Sequence, residues 1–216
     1  MTSFEYTLEE YFEIVRALGG KTNKKPKIRP TPQQSWGWPN FSPIKRRLKE
    51  HLLAEQYNTC CYCQRNLSGE FRMILDVEHI LPKHVFCHCI FDLPNLAVSC
   101  RRCNFHVKGK KVDFFDKRIL LFPKILKSEL FKKEYYDFVH PNLDDRFAHL
   151  CIEVSQKGPK VIVRYEILSP LGQKTYDYFR LNQLEINSWD DAAELLDPET
   201  ADYYDAIKQL EDEIYR

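Results

Sequence analysis

The sequence predicts an α+β fold in three stretches, and three observations carry that prediction. Two C-x-x-C pairs, Cys60/Cys63 and Cys100/Cys103, bracket 36 residues in the middle of the chain. The segment before them shows apolar residues at helical spacing together with helix-start signals. The segment after them holds two alternating apolar and polar runs around a Gly-Pro turn, the pattern of a β-hairpin, between stretches of helical character. The boundaries fall at 1–57, 58–112 and 113–216.

Thr7 to Leu18 reads as a helix. Thr7 and Glu10 have the spacing of a capping box, Leu8, Tyr11, Phe12, Val15 and Leu18 recur as an apolar stripe, and Gly19-Gly20 ends the run. Residues 21–41 carry four prolines without periodicity and read as an extended basic arm anchored by Trp36 and Trp38. Ser42 as N-cap and Pro43 in the first turn open a second helix to about Gln56, burying Ile44, Leu48 and Leu52 and turning Lys45, Arg46 and Lys49 outward. In the last stretch, short apolar segments break at Pro123 and Pro141. The hairpin strands are 150–154 and 160–167, and the segments 172–186 and 198–216 read as helical.

A chain of 216 residues, 44% hydrophobic, can bury its own core. Its N-terminus is acidic and amphipathic and it has no apolar run of membrane-spanning length, so the expected location is the cytoplasm, without membrane contact. The net charge of +1 conceals a strong asymmetry: residues 21–50 hold nine Lys or Arg against one acid, and residues 185–216 hold eleven acids against two bases. A basic stretch suits a polyanion, although charge runs are more often solvated surface.

In a reducing compartment, eight cysteines with four in C-x-x-C pairs argue for metal ligation over disulfides. Four thiolates close a tetrahedral shell around zinc and leave no position for water or substrate, so Cys60, Cys63, Cys100 and Cys103 predict a structural zinc. Cys61 competes with Cys60 for one position. Cys87, Cys89 and Cys151 are expected in the core or incidental, with a second metal at Cys87–Cys89 as the minor alternative.

Between the pairs lies "DVEHILPKH", with the acid–histidine pair Glu78-His79, followed by Asn95 and, just past the last cysteine, Asn104. Together "CCYC", "VEHILPK", "NLAVSCRRCN" and "KGK" resemble the HNH endonucleases of ββα-metal fold over residues 58–112. A looser likeness in "HPNLDDRFAHL" and "TYDYFRLNQLEI" resembles the HNH nuclease subunits of Septu-type and retron anti-phage systems. The resemblance implies His79 as the general base that activates water, Glu78 and Asn104 as ligands of a catalytic Mg²⁺ or Mn²⁺, Asn95 as the group holding the His79 ring, and products with 5′-phosphate and 3′-hydroxyl ends. It also implies a partner ATPase of SMC or ABC type and a nucleic-acid substrate, DNA favoured. The family more often has aspartate where this chain has Glu78. Asp76 lies on the same strand face as Glu78 and offers a substitute carboxylate.

Lys108, four residues after Asn104, is expected on its helix face where an ammonium would meet a phosphate, with Lys110, Arg101 and Arg102 nearby as further nucleic-acid contacts. His106 is a reserve ligand, and His84, His140 and His149 are expected to be packed or hydrogen-bonded. A rival reading keeps the zinc and these cations as a non-catalytic nucleic-acid-binding module, and a thiol redox protein is a third. The acidic C-terminal stretch, with Tyr203, Tyr204, Ile207, Leu210 and Ile214 at near-helical spacing, is either a helix packed on its own domain or a docking element for the ATPase.

Overall fold

Helix α1 spans Leu8–Ala17 and starts where the capping box places it: Glu10 N–H donates to Thr7 Oγ1 at 3.2 Å and Thr7 N–H donates to Glu10 Oε2 at 2.8 Å. The computed structural model describes residues 4–18, 36–37, 41–70, 75–121 and 127–186. Most of the basic arm, Trp38, Pro123 and the acidic C-terminal stretch from 187 onward lie outside them. The face that α1 buries differs from the expected stripe. Ile14 and Ala17 pack with Phe41, Ile44, Ile90 and Phe91, while Leu8, Tyr11 and Phe12 are each more than half exposed. Residues three apart share a helix face, and Ile14 with Ala17 is the pair that meets the neighbouring helix.

Helix α2 spans Ser42–Glu55 and buries Ile44, Leu48 and Leu52 as expected. Its N-cap is Phe41, which makes no side-chain cap bond, so Ser42 is the first helical residue. Arg47 of α2 pairs with Glu10 and donates to Glu5 O, fixing α1 across it.

Strands β1 (Leu75–His79) and β2 (Leu96–Cys100) pair antiparallel, with Leu75 opposite Cys100 and His79 opposite Leu96. Every residue of β2 is buried. The chain then enters a π-helix, Arg102–Lys108, which ends when Gly109, at φ 52°, donates its N–H to Asn104 O at 2.8 Å. Glycine adopts that left-handed conformation without the penalty a Cβ brings.

The hairpin is longer than the sequence pattern suggested. Strands β3 (Leu150–Lys157) and β4 (Lys160–Ile167) pair down to Lys157 opposite Lys160, and Gly158 sits at φ 60° in the two-residue turn. Helix α3 (Pro170–Tyr178) follows, with Ser169 Oγ accepting from Gly172 N–H at 3.0 Å. A Cβ on Gly172 would fall 1.9 Å from His149 O, so the helix seats against the start of the hairpin only because that residue is glycine. The helical run expected over 172–186 is broken at Arg180, in left-handed conformation, and resumes as a 3₁₀ turn, Leu181–Leu184.

Among the described residues the architecture is thus mixed α+β with two small antiparallel sheets. One core runs from Leu48 and Leu52 of α2 through the cysteines, Leu96 and Val98 to Phe114, Phe138, Leu150 and Phe179. Phe114, Phe138, Leu150 and Phe179, all after residue 113, therefore pack on the same core as the cysteine pairs.

Candidate metal centre and adjoining cleft

Cys60, Cys63, Cys100 and Cys103 bring their sulfurs within 4.8 Å of one another, all buried. A tetrahedral zinc with Zn–S of about 2.3 Å sets its sulfurs about 3.8 Å apart. Cys63 Sγ and Cys100 Sγ lie 3.8 Å apart, so the four thiols fit such an ion. The geometry also separates Cys60 from Cys61: the Cys60 sulfur belongs to the cluster and the Cys61 sulfur does not. Burial pushes the Cys60 thiol up, but hydrogen bonds with Cys100, Cys103, Cys61 and Cys63 overcome this and hold it well below the ordinary thiol value. Burial and the neighbouring Cys60 push the Cys61 thiol up. Cys61 instead donates its backbone N–H to Val98 O at 3.0 Å, joining the first cysteine turn to β2.

Residues that sequence reasoning passed over hold this turn. The Gln56 side chain accepts from Val98 N–H at 2.6 Å and donates to Val98 O at 2.8 Å and Thr59 O at 2.9 Å. Arg146 donates to Cys60 O at 3.3 Å, Gln64 to Leu150 O at 2.5 Å, and Tyr165 of β4 to Cys63 O at 2.7 Å. The C-terminal segment thereby clamps the cysteine turn from the far side. Cys87 and Cys89 join no comparable group: among the described residues, the four cysteines are the only cluster of three or more His, Cys, Asp or Glu side chains close enough to share an ion.

Beside the cysteines, Val77, Glu78, His79, Lys83, Asn104 and Lys108 line a cleft of about 430 Å³, together with His84 and Lys110. Strand β1 ends at His79, which lets two adjacent residues of opposite strand face open onto one cleft. Glu78 is buried. Its Oε1 accepts from Tyr62 Oη–H at 3.0 Å and from the Lys108 ammonium at 2.6 Å. Burial raises the Glu78 carboxyl, and Lys108 opposes that rise. His79 Nε2 lies 3.1 Å from Ile90 O. A carbonyl only accepts, so Nε2 carries the proton and Nδ1 keeps the lone pair. Burial, with help from the Lys83 and Lys108 cations, lowers the imidazole to about 3, so it is neutral at neutral pH. Trp36 meets the ring edge-on at 4.6 Å.

Asn95 acts on the loop and not on the ring. Its amide accepts from Leu81 N–H at 2.7 Å and donates to Cys89 O at 3.0 Å, fixing the segment whose next carbonyl, Ile90 O, holds His79. Asn104 Nδ2 donates to Asp76 Oδ2 at 3.1 Å. Lys108 is not the solvent-facing cation the sequence suggested: it is 1% exposed, because Glu78 and His79 O, at 3.0 Å, draw it inward. Arg102 is likewise engaged, donating to Phe179 O at 2.9 Å and Arg180 O at 2.8 Å. Arg101, Lys110 and His106 are exposed. His140 is buried, and His149 Nδ1 meets Ser169 Oγ at 2.7 Å.

Against known proteins, no protein-family model matches the chain. It is 32% identical over 153 residues to the Septu protein PtuB of Bacillus thuringiensis. That stretch covers 64% of this chain and 55% of the relative, so the chain matches only about half of that protein's length. No helix among the described residues is long and apolar enough to cross a membrane.

Proposed function

We propose that the chain is an HNH-type endonuclease that hydrolyses phosphodiester bonds of nucleic acid, DNA in preference to RNA, in a Septu-type anti-phage system governed by an ATPase partner of SMC or ABC type. The observation that carries the reading is His79: a neutral imidazole, its Nε2–H fixed on Ile90 O, opens onto one cleft with Glu78 and Asn104. The likeness to Septu protein PtuB supports the biological setting.

In this reading Nδ1 of His79 takes the proton of the attacking water, and the Ile90 carbonyl, kept in place by Asn95, holds the tautomer that leaves Nδ1 free to accept. Asp76 and Asn104 offer oxygens for a hard cation, since an amide turns its oxygen to a metal as readily as its nitrogen to a carboxylate. Glu78, paired with Lys108, is the third oxygen donor that this reading assigns to such an ion. A Mg²⁺ or Mn²⁺ ion bound there would stabilise the charge that develops on the phosphate. A zinc held by Cys60, Cys63, Cys100 and Cys103 would keep β2 and the π-helix in register and, with all four positions filled by thiolates, would leave no position for substrate.

The pairing of Lys108 with Glu78 favours a second reading, a zinc-stabilised nucleic-acid-binding module without catalysis. One experiment separates them. The purified protein is incubated with plasmid, linear duplex, tRNA and single strands, with and without Mg²⁺ or Mn²⁺. Cutting that needs the ion and disappears in His79→Ala, with zinc content and fold intact, is the expected result. Binding without cutting under every condition, or cutting retained in His79→Ala, discards the nuclease.

A further inference from the structure

Helix α2 carries Lys45, Arg46 and Lys49 along one side of a groove of about 600 Å³, whose other wall is β1 with Asp76 and Val77. Trp36 and Lys83 also line it. The groove runs into the His79 cleft: Val77, Lys83 and Asn104 line both. At the junction Trp36 touches the His79 ring edge-on. The geometry points to this groove as the seat of the nucleic-acid strand next to the scissile bond, its phosphates held by Lys45, Arg46 and Lys83. The inference rests on the proposed function and adds where, on this chain, the substrate lies.

The charges lining the groove favour a phosphate chain over other occupants. Four cations line the groove against two acids, Glu50 and Asp76, and Asp76 already accepts from Asn104. Lys45 Nζ donates to Trp36 O at 3.1 Å, a neutral acceptor that leaves its positive charge uncancelled, and sits 5.7 Å from the Trp36 ring centre. Four cations crowd this lining; at Lys83 burial lowers the ammonium, Glu78 opposes that, Lys45 lowers it further and Asp76 raises it. A phosphate backbone relieves such crowding and releases its own counterions on binding. Two of the cations expected from sequence next to Asn104, Lys108 and Arg102, are instead committed to protein partners. An aromatic wall beside the cations also suits a strand whose bases need a flat surface to lie against.

The test uses the full chain with His79→Ala, so that binding is measured without cutting, against a labelled duplex and a labelled single strand across a salt series. Lys45→Glu with Arg46→Glu weakens binding at least about tenfold and lowers the magnitude of the log K against log salt slope by about 1.4 to 1.8, the share of two phosphate contacts. Should the reversed charges disturb folding, Lys45→Gln with Arg46→Gln gives the same reduction in slope. Lys133→Glu with Lys157→Glu, which line neither cavity, leaves the slope within about 0.3 of the parent's. Unchanged affinity in the groove variants, an equal loss in the Lys133/Lys157 variant, poly-glutamate bound more tightly than either oligonucleotide, or no binding at all overturns the groove. Binding through the groove by a protein that never cuts sinks the nuclease and leaves the groove standing. Cutting by the wild-type protein, with unchanged binding in the groove variants, does the reverse.

Discussion

The Lys108 ammonium lies 2.6 Å from Glu78 Oε1, with both side chains all but excluded from solvent at 2% and 3% exposure. Two charges withdrawn from water are tolerable together and costly apart. Lys108→Met therefore leaves an uncompensated carboxylate and lowers stability by roughly 3–5 kcal/mol, whereas the double change Lys108→Met with Glu78→Gln recovers most of the loss. Urea unfolding of the two single variants and the double variant, taken as a cycle, checks this. Losses that simply add would show that the pair is not coupled.

Tyr62 sits inside the first C-x-x-C turn and donates to the same Glu78 oxygen at 3.0 Å, while its ring stacks on Phe179 at 4.1 Å. It links three parts of the molecule: the cysteine turn, the cleft and the C-terminal segment. Tyr62→Phe keeps the stack and removes one hydrogen bond to a charged acceptor, a loss of roughly 1.5–3 kcal/mol. Zinc content stays at the wild-type level. A Tyr62→Phe protein that loses zinc would mean that the hydroxyl bond to Glu78, and not the ring stack on Phe179, is what keeps the cysteine turn in place.

Zinc content divides the two adjacent cysteines. Cys60→Ser removes one of four converging thiols and lowers both zinc stoichiometry and melting temperature, because binding free energy at a structural site is folding free energy. Cys61→Ser keeps close to one zinc per chain, since its sulfur stands outside the cluster. Metal analysis of both purified variants, with a chelator titration, reads the difference. A Cys61→Ser protein without zinc would reverse the assignment.

The cysteine spacing and the hairpin were legible because each depends on residues close in sequence: a C-x-x-C turn closes over four positions, and alternation around Gly158 fixes its own register. Capping of α1 by Thr7 and Glu10 was legible for the same reason. The buried face of α1 was not, because Leu8, Tyr11 and Phe12 satisfy helical spacing as well as Ile14 and Ala17 do, and only the position of Phe41 and Phe91 decides between them. Lys108 misled for a related reason. Its spacing from Asn104 says nothing about Glu78, 30 residues earlier, which pulls it inward. Gln56, Gln64 and Arg146 left no sequence signal at all, since they bond to backbone carbonyls distant along the chain, an acceptor that every residue carries.

His140 makes stability depend on pH in one direction. Its ring is fully buried, Nδ1 accepts from Asn142 N–H at 3.2 Å, Nε2 has no hydrogen-bond partner among the described residues, and Tyr136 lies edge-on at 4.4 Å. Burial lowers the imidazole to about 3 from the 6.5 it regains on unfolding. The unfolded chain thus binds the proton first as pH falls. The contribution of the neutral ring is complete above about 6.5 and drains away toward 3, by at most about 1.4 kcal/mol per pH unit. His140→Asn keeps an acceptor for Asn142 N–H and cannot titrate, so its stability should fall less steeply than that of the wild type between pH 6.5 and 4. Denaturant unfolding of both proteins across that window measures the difference. Parallel curves would mean that His140 is protonated in the folded protein, and that its buried surroundings supply a partner for the charge.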